Sequence, residues 1–207
     1  MTNERCKQTY YGAIDLQSHE LLIQLEMGCF VNNLIFDRPT FVSDSSEVKE
    51  VLLQQLKETI EVAKRVNGKY VTTLSGVLDL TLERDYQTAN IIKNLKYCAE
   101  LAEPAGLILG IEAITGKWWQ GTFVTTISHA YLIVKAVNSP VVKLVFDTFQ
   151  AQMETGNIIE NIDRVWDEIA LFQIADAPKR TELNNEMGMD WVKRNFATWK
   201  DLQPNNK

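Results

Sequence analysis

The chain has 207 residues, 45% of them apolar, with 21 lysines and arginines against 27 aspartates and glutamates and a net charge of −6. That is an ordinary composition for one globular domain over residues 1–207, and its acidity argues against nucleic-acid and anionic-membrane surfaces, which call for a basic face. No apolar run approaches the ~20 residues a bilayer needs, MTNERCKQTYY lacks the apolar core of a secretory signal, and Cys6, Cys29 and Cys98 read as reduced thiols of a cytoplasmic protein.

Residues 1–26 hold at most a short helix near 17–25, and MGCFVNNL (27–34) reads as a strand. Ser46 or Asp44 can then cap a helix in which Val48, Leu52, Leu56, Ile60, Ala63 and Val66 recur at helical spacing, with Gly68 as its stop. KYVTTL (69–74), rich in β-branched and aromatic residues, reads as the next strand. A helix over about 85–103 buries Ala89, Ile92, Leu95, Ala99 and Ala102 and ends at Pro104 and Gly106. The near-continuous apolar run GLILGIEAI (106–114) suits a strand covered on both faces, as in a parallel sheet. The unit repeats: a helix over 125–137, the strand VVKLVFD (141–147), a helix over 157–168 and the strand LFQIAD (171–176). Residues 178–207 hold at most a helix near 189–202 and a polar tail. Five strands alternating with helices predict an α/β fold built of parallel βα units.

In such folds the working residues lie at the C-terminal ends of strands. Those ends carry Glu112, Asp147 and Gln173, with Asp176 just beyond. A carboxylate there is costly to bury unless it is paired or bound to a cation. Two carboxylates and an amide oxygen form a hard, oxygen-only donor set that favours Mg²⁺ or Mn²⁺ over zinc or copper. The competing reading is that each acid caps a helix or pairs with a basic side chain. His19 and His129 fall in predicted helices and read as structural or exposed, not catalytic. Trp118 and Trp119 follow Glu112 and suit either a substrate-covering wall or local packing.

The segment AYLIVKAVNSPVVKLVFDTFQAQMETGNIIENIDRVWDEIALFQIADAPKRTE resembles the hydroxypyruvate isomerase branch of the xylose-isomerase-like sugar isomerase/epimerase family. IEVAKRVNGKYVTTLSG, DYQTANIIKNLKYCAELAEPAGLILGIEAI and EMGCFVNNLIFDRPTFV look like the matching upstream stretches, so the resemblance covers about residues 17–182. The family places a glutamate at one strand end, an aspartate in FDxYHxQ on the next and a glutamine in FQIAD on the one after. Glu112, Asp147 and Gln173 stand at those places, 35 and 26 residues apart. The resemblance implies a (β/α)8 TIM-type barrel and a divalent ion held by Glu112, Asp147 and Gln173. It implies Glu112 as acid/base in the interconversion of hydroxypyruvate and 2-hydroxy-3-oxopropanoate, an aldose–ketose type isomerisation. Gln150 and Arg180 fall at substrate-binding positions, so the implied partner is a small hydroxy-oxo acid or sugar.

The chain departs from the family pattern in specific places. The family's second catalytic glutamate, on the last barrel strand, would fall at or beyond Lys207. Phe149 and Gln150 replace the tyrosine and histidine of FDxYHxQ, and Gln150 cannot carry a proton near neutral pH. PGRxEPxxGEI has become PKRTELNNEMG, with Glu186 standing for its glutamate. The five strands correspond to family strands three to seven of a barrel that typically needs about 250 residues. An incomplete barrel is therefore expected. Its open sheet edges suit a homo-oligomer, and its former lumen would lie uncovered as an apolar surface. The alternative to an active isomerase is an inactive or truncated relative that lacks the second glutamate.

Overall fold

In a computed structural model, which describes the strand Cys29–Val31 and residues 40–180, strands and helices alternate as the periodicity predicts. The order is β1 (Cys29–Val31), α1 (Ser46–Val66), β2 (Tyr70–Thr73), α2 (Arg84–Ala102), β3 (Ile108–Glu112), α3 (Ile127–Val137), β4 (Val142–Asp147), α4 (Thr148–Glu154), α5 (Ile158–Val165), a 3₁₀ turn (Trp166–Glu168) and β5 (Ile169–Gln173). The five strands form one sheet in the order β1-β2-β3-β4-β5, every pair parallel. Each crossover returns to the adjacent position, the winding from which a barrel is built. The predicted helices near 17–25 and 189–202, His19 and Glu186 lie outside the described residues.

Local chemistry moves several boundaries. The cap of α1 is Ser45, between the two candidates, and its hydroxyl accepts the Val48 N–H at 3.2 Å. Asn67, not Gly68, ends that helix by taking a left-handed conformation (φ 51°), and the Gly68 N–H then reaches back to the Ala63 carbonyl. The last strand runs over Ile169–Gln173 instead of 171–176, which leaves Asp176 in the following loop, where its Oδ1 accepts the Ala177 N–H. The short helix α4 follows β4 directly and has no counterpart in the sequence reading. Seven residues are too few to display helical periodicity, and the signal for α4 is the Asp147 cap itself.

Alternation along the strands sorts side chains between two faces. Val71, Leu109, Ile111, Val142, Leu144 and Phe146 join the buried faces of the helices in one apolar core. The opposite face carries Thr72, Gly110, Glu112, Val145, Asp147 and Gln173. This face is not the exposed apolar surface that an open sheet implied. Thr72, Glu112, Val145 and Asp147 are buried, and the exposed large apolar side chains of the described residues lie on helices and loops. Curvature is one reason. Gln173 Nε2 on β5 lies 3.4 Å from Thr72 Oγ1 on β2, although three strand spacings in a flat sheet would separate their backbones by about 14 Å. The sheet therefore curls around this face, as a barrel does. Gly110 makes room within it, since a Cβ there would lie 2.5 Å from Val145 Cγ2.

Two polar clamps hold the loops that leave the sheet. Asn94 on α2 donates to the Phe41 and Ser43 carbonyls at 2.9 and 2.8 Å. Gln87, fully buried, accepts the Asp79 N–H at 2.9 Å and donates to the Asp79 and Leu82 carbonyls, both at 2.8 Å. Gln87→Leu removes three bonds without removing volume and strands the loop's polar groups. It is expected to cost about 1–3 kcal/mol, measured as a lower urea midpoint with an unchanged slope.

Candidate active site

The functional face is set by register. Asp147 pairs directly with Gln173 across β4 and β5, while Glu112 pairs with Val145, two residues before Asp147. All three side chains therefore leave the same concave face at neighbouring strand ends. Glu112 is 2% exposed and Asp147 1%, so both are removed from the water that would otherwise solvate their charge.

The two acids solve this problem differently. Asp147 Oδ1 accepts the Phe149 and Gln150 N–H groups at 2.8 and 3.2 Å, which caps α4. Its Oδ2 accepts Arg180 Nη2 at 2.6 Å. Asp147 thus does what the competing reading of the sequence required, capping a helix and pairing with a base at once. Glu112 has no such support: its Oε1 is buried without a hydrogen-bond partner. Burial and the neighbouring Asp147 push the Glu112 carboxyl up to about 8, against the opposing pull of Arg180. Burial also raises Asp147, but Arg180 and two amide N–H groups draw it back. Burial and the adjacent carboxylate therefore favour the protonated form of Glu112 over that of Asp147.

Gln150 is 2% exposed; its Oε1 accepts the Thr115 N–H at 2.9 Å, and its Nε2 is buried without a partner. The site therefore holds one unused acceptor, Glu112 Oε1, and one unused donor, Gln150 Nε2. Thr115 escaped the sequence reading, although its place three residues past Glu112 put it at the correct end of β3. Its hydroxyl donates to Glu154 at 2.5 Å, and Lys117 Nζ donates to the Met153 carbonyl at 2.6 Å. Together these bonds lash the loop after β3 onto α4. Trp118 meets the Phe149 ring edge-on, centroids 5.2 Å apart, yet stays 50% exposed. It is packed on one side and open on the other, as a wall would be.

His129 belongs elsewhere. It sits on α3, hydrogen-bonded through Nε2 to Thr88 on α2 at 3.1 Å and edge-on to Phe123, and burial lowers its pKa. This is the structural role expected for it. Cys98 is a buried free thiol pushed up to about 12 by burial, which leaves it inert.

A curled parallel sheet with buried carboxylates at its C-terminal strand ends is the arrangement of the working end of a TIM barrel. The chain belongs to the xylose isomerase-like TIM-barrel family, whose sequence profile matches residues 13–197. It is 27% identical over 129 residues to the 2-oxo-tetronate isomerase of Pectobacterium atrosepticum, covering 62% of this chain and 49% of the relative. It is 25% identical over 123 residues to the hydroxypyruvate isomerase of Escherichia coli K12, covering 59% and 48%. The chain spans about half the length of these curated relatives. Among solved structures it resembles a family 2 AP endonuclease of Brucella melitensis (TM-score 0.70, 21% identity, covering 81% of this chain and 67% of that one). It also resembles the IOLI protein, solved with a bound zinc atom (TM-score 0.58, 24% identity, covering 74% and 52%). The parallel TIM-type fold, with five strands among the described residues, and the kinship with isomerases thus stand together. No described helix is long and apolar enough to cross a membrane.

Proposed function

We propose that the chain is a metal-assisted isomerase of small hydroxy-oxo acids, converting hydroxypyruvate to 2-hydroxy-3-oxopropanoate. The observation that carries this reading is Glu112: a buried carboxyl at a strand end, unpartnered at Oε1, its pKa raised by burial and by the neighbouring Asp147. A general acid/base works best when its pKa lies near the working pH, and an open lone pair is what an incoming proton or cation requires.

Glu112, Asp147 and Gln173 fit a hard divalent cation by donor type and by sharing one face, with Glu112 Oε1 as the coordination position already open. Such an ion would supply Lewis-acid polarisation of the substrate carbonyl. The chain's own residues do the rest. Glu112 in its ionised form would take a proton from the carbon bearing the hydroxyl and return it to the neighbouring carbon, while the hydroxyl proton passes to the former carbonyl oxygen. Gln150 Nε2 donates to a substrate oxygen, and the Arg180 guanidinium is suited in charge and shape to a substrate carboxylate. Trp118 screens the mouth of the site.

The test is turnover of hydroxypyruvate by the folded chain loaded with Mg²⁺ or Mn²⁺, followed by proton NMR. Formation of the aldehyde above the uncatalysed rate supports the proposal, and its absence in a metal-loaded sample refutes it. One observation favours a second reading, an inactive relative: Glu112 is the only glutamate on the concave face among the described strands. A further acid supplied by a second copy joined along β5 is the alternative to inactivity. Catalysis that rises with protein concentration would distinguish that arrangement from a monomer.

A further inference from the structure

Asp147 has one oxygen to offer a ligand. Oδ1 is committed to the Phe149 and Gln150 N–H groups, so Oδ2 is the position from which a cation could be bound, and Arg180 Nη2 already lies 2.6 Å from it. The contact is a built one. The Arg180 side chain is 13% exposed, and its guanidinium carbon lies 5.1 Å from the Phe149 ring centroid. Its backbone takes φ 53°, a left-handed conformation that non-glycine residues rarely adopt. Beside this pair, Glu112 Oε1 and Gln150 Nε2 are buried and unpartnered, so the half of the site that Arg180 does not occupy is ready for a ligand.

We propose that Arg180 is an internal competitor for the divalent cation: its guanidinium holds Asp147 Oδ2 in the metal-free chain, and an ion seats between Glu112 and Asp147 only by displacing it. A carboxylate oxygen that accepts a short charge-assisted hydrogen bond has little negative potential left for a second cation. Two cations on one buried oxygen also repel strongly where water is excluded. The same contact lets Asp147 stay buried without an ion, because the Arg180 guanidinium offsets its charge. Metal affinity is thereby set by a residue that is not itself a ligand. The inference rests on the reading of Glu112 and Asp147 as ligands given above.

The experiment titrates Mn²⁺ alone into the full chain by calorimetry, for wild type, Arg180→Met, Arg180→Lys, Asp147→Asn and the Arg180→Met/Asp147→Asn double variant. Competition predicts Mn²⁺ affinity at least tenfold tighter in Arg180→Met and intermediate in Arg180→Lys, whose compact charge lacks the planar fork. It further predicts that the double variant loses this gain. Metal-free Arg180→Met should melt below wild type, and saturating Mn²⁺ should close the gap. Affinity that is unchanged or weaker in Arg180→Met, or no binding at all, overturns the proposal. Should Arg180→Met fail to fold, Arg180→Lys decides in the same way. If wild-type binding is lost in Asp147→Asn but Arg180→Met binds no tighter, the competitor fails and the ligand reading stands. Wild-type binding that survives Asp147→Asn removes the ligand reading and the competitor with it.

Discussion

Glu112→Gln is expected to abolish the proposed isomerisation, by about 10²–10⁴-fold if only the acid/base step is lost, while leaving the chain folded. The substitution keeps the volume and the polar end of the side chain but removes the transferable proton. It also predicts a stability effect of opposite sign. In the metal-free chain Glu112 titrates at about 8, above its ordinary 4.5, so the folded state holds this proton more tightly than the unfolded state does. Its contribution to stability is complete below about pH 4.5 and is lost as the pH rises through about 8. Wild type should therefore lose stability between those limits, and Glu112→Gln should lose less. Urea midpoints at pH 5, 7 and 9 measure the difference. Equal pH dependence in the two chains would mean that Glu112 is ionised in the folded protein, contrary to its burial and its unpartnered Oε1.

Phe146→Ala carries the largest expected cost in stability. Phe146 is fully buried on the helix side of β4, with its ring centroid 5.7 Å from that of Phe172 on β5. Truncation opens a cavity between β4 and the helices, one residue before Asp147, and is expected to cost about 3–5 kcal/mol. For a chain of this size the loss corresponds to a fall in melting temperature of about 6–20 °C. Leu132→Ala, on the exposed face of α3, should change stability by no more than about 0.5 kcal/mol. A small effect of Phe146→Ala would place the stabilising core elsewhere than between this sheet and its helices. Because Asp147 follows Phe146 directly, a cavity there should also loosen the cap of α4 and weaken the site.

The elements with long, regular patterns were legible in the sequence. The apolar spacing of Leu52, Leu56, Ile60 and Ala63 defines α1, and the apolar runs ending at Glu112 and Asp147 define β3 and β4, because burial on one face or on both leaves a periodic trace. From that alternation follows the parallel βα class, and from the strand ends follow Glu112, Asp147 and Gln173 as candidates. The short helix α4, the Ser45 cap and the start of β5 left weaker traces, since each depends on one or two side chains and not on a repeat.

Partnership within the site has another origin. Nothing in the order of residues says that Arg180 meets Asp147 across 33 positions, or that Gln173 reaches Thr72 across 101. Those contacts exist because the sheet curls and brings strand ends from distant parts of the chain onto one concave face. The same curvature buries Glu112 and Asp147 side by side, and burial raises the pKa of both. Residue types and strand ends are written locally, in period and composition. Protonation, pairing and the open positions at Glu112 Oε1 and Gln150 Nε2 are set by distance and dielectric, which exist only once the chain has closed around them.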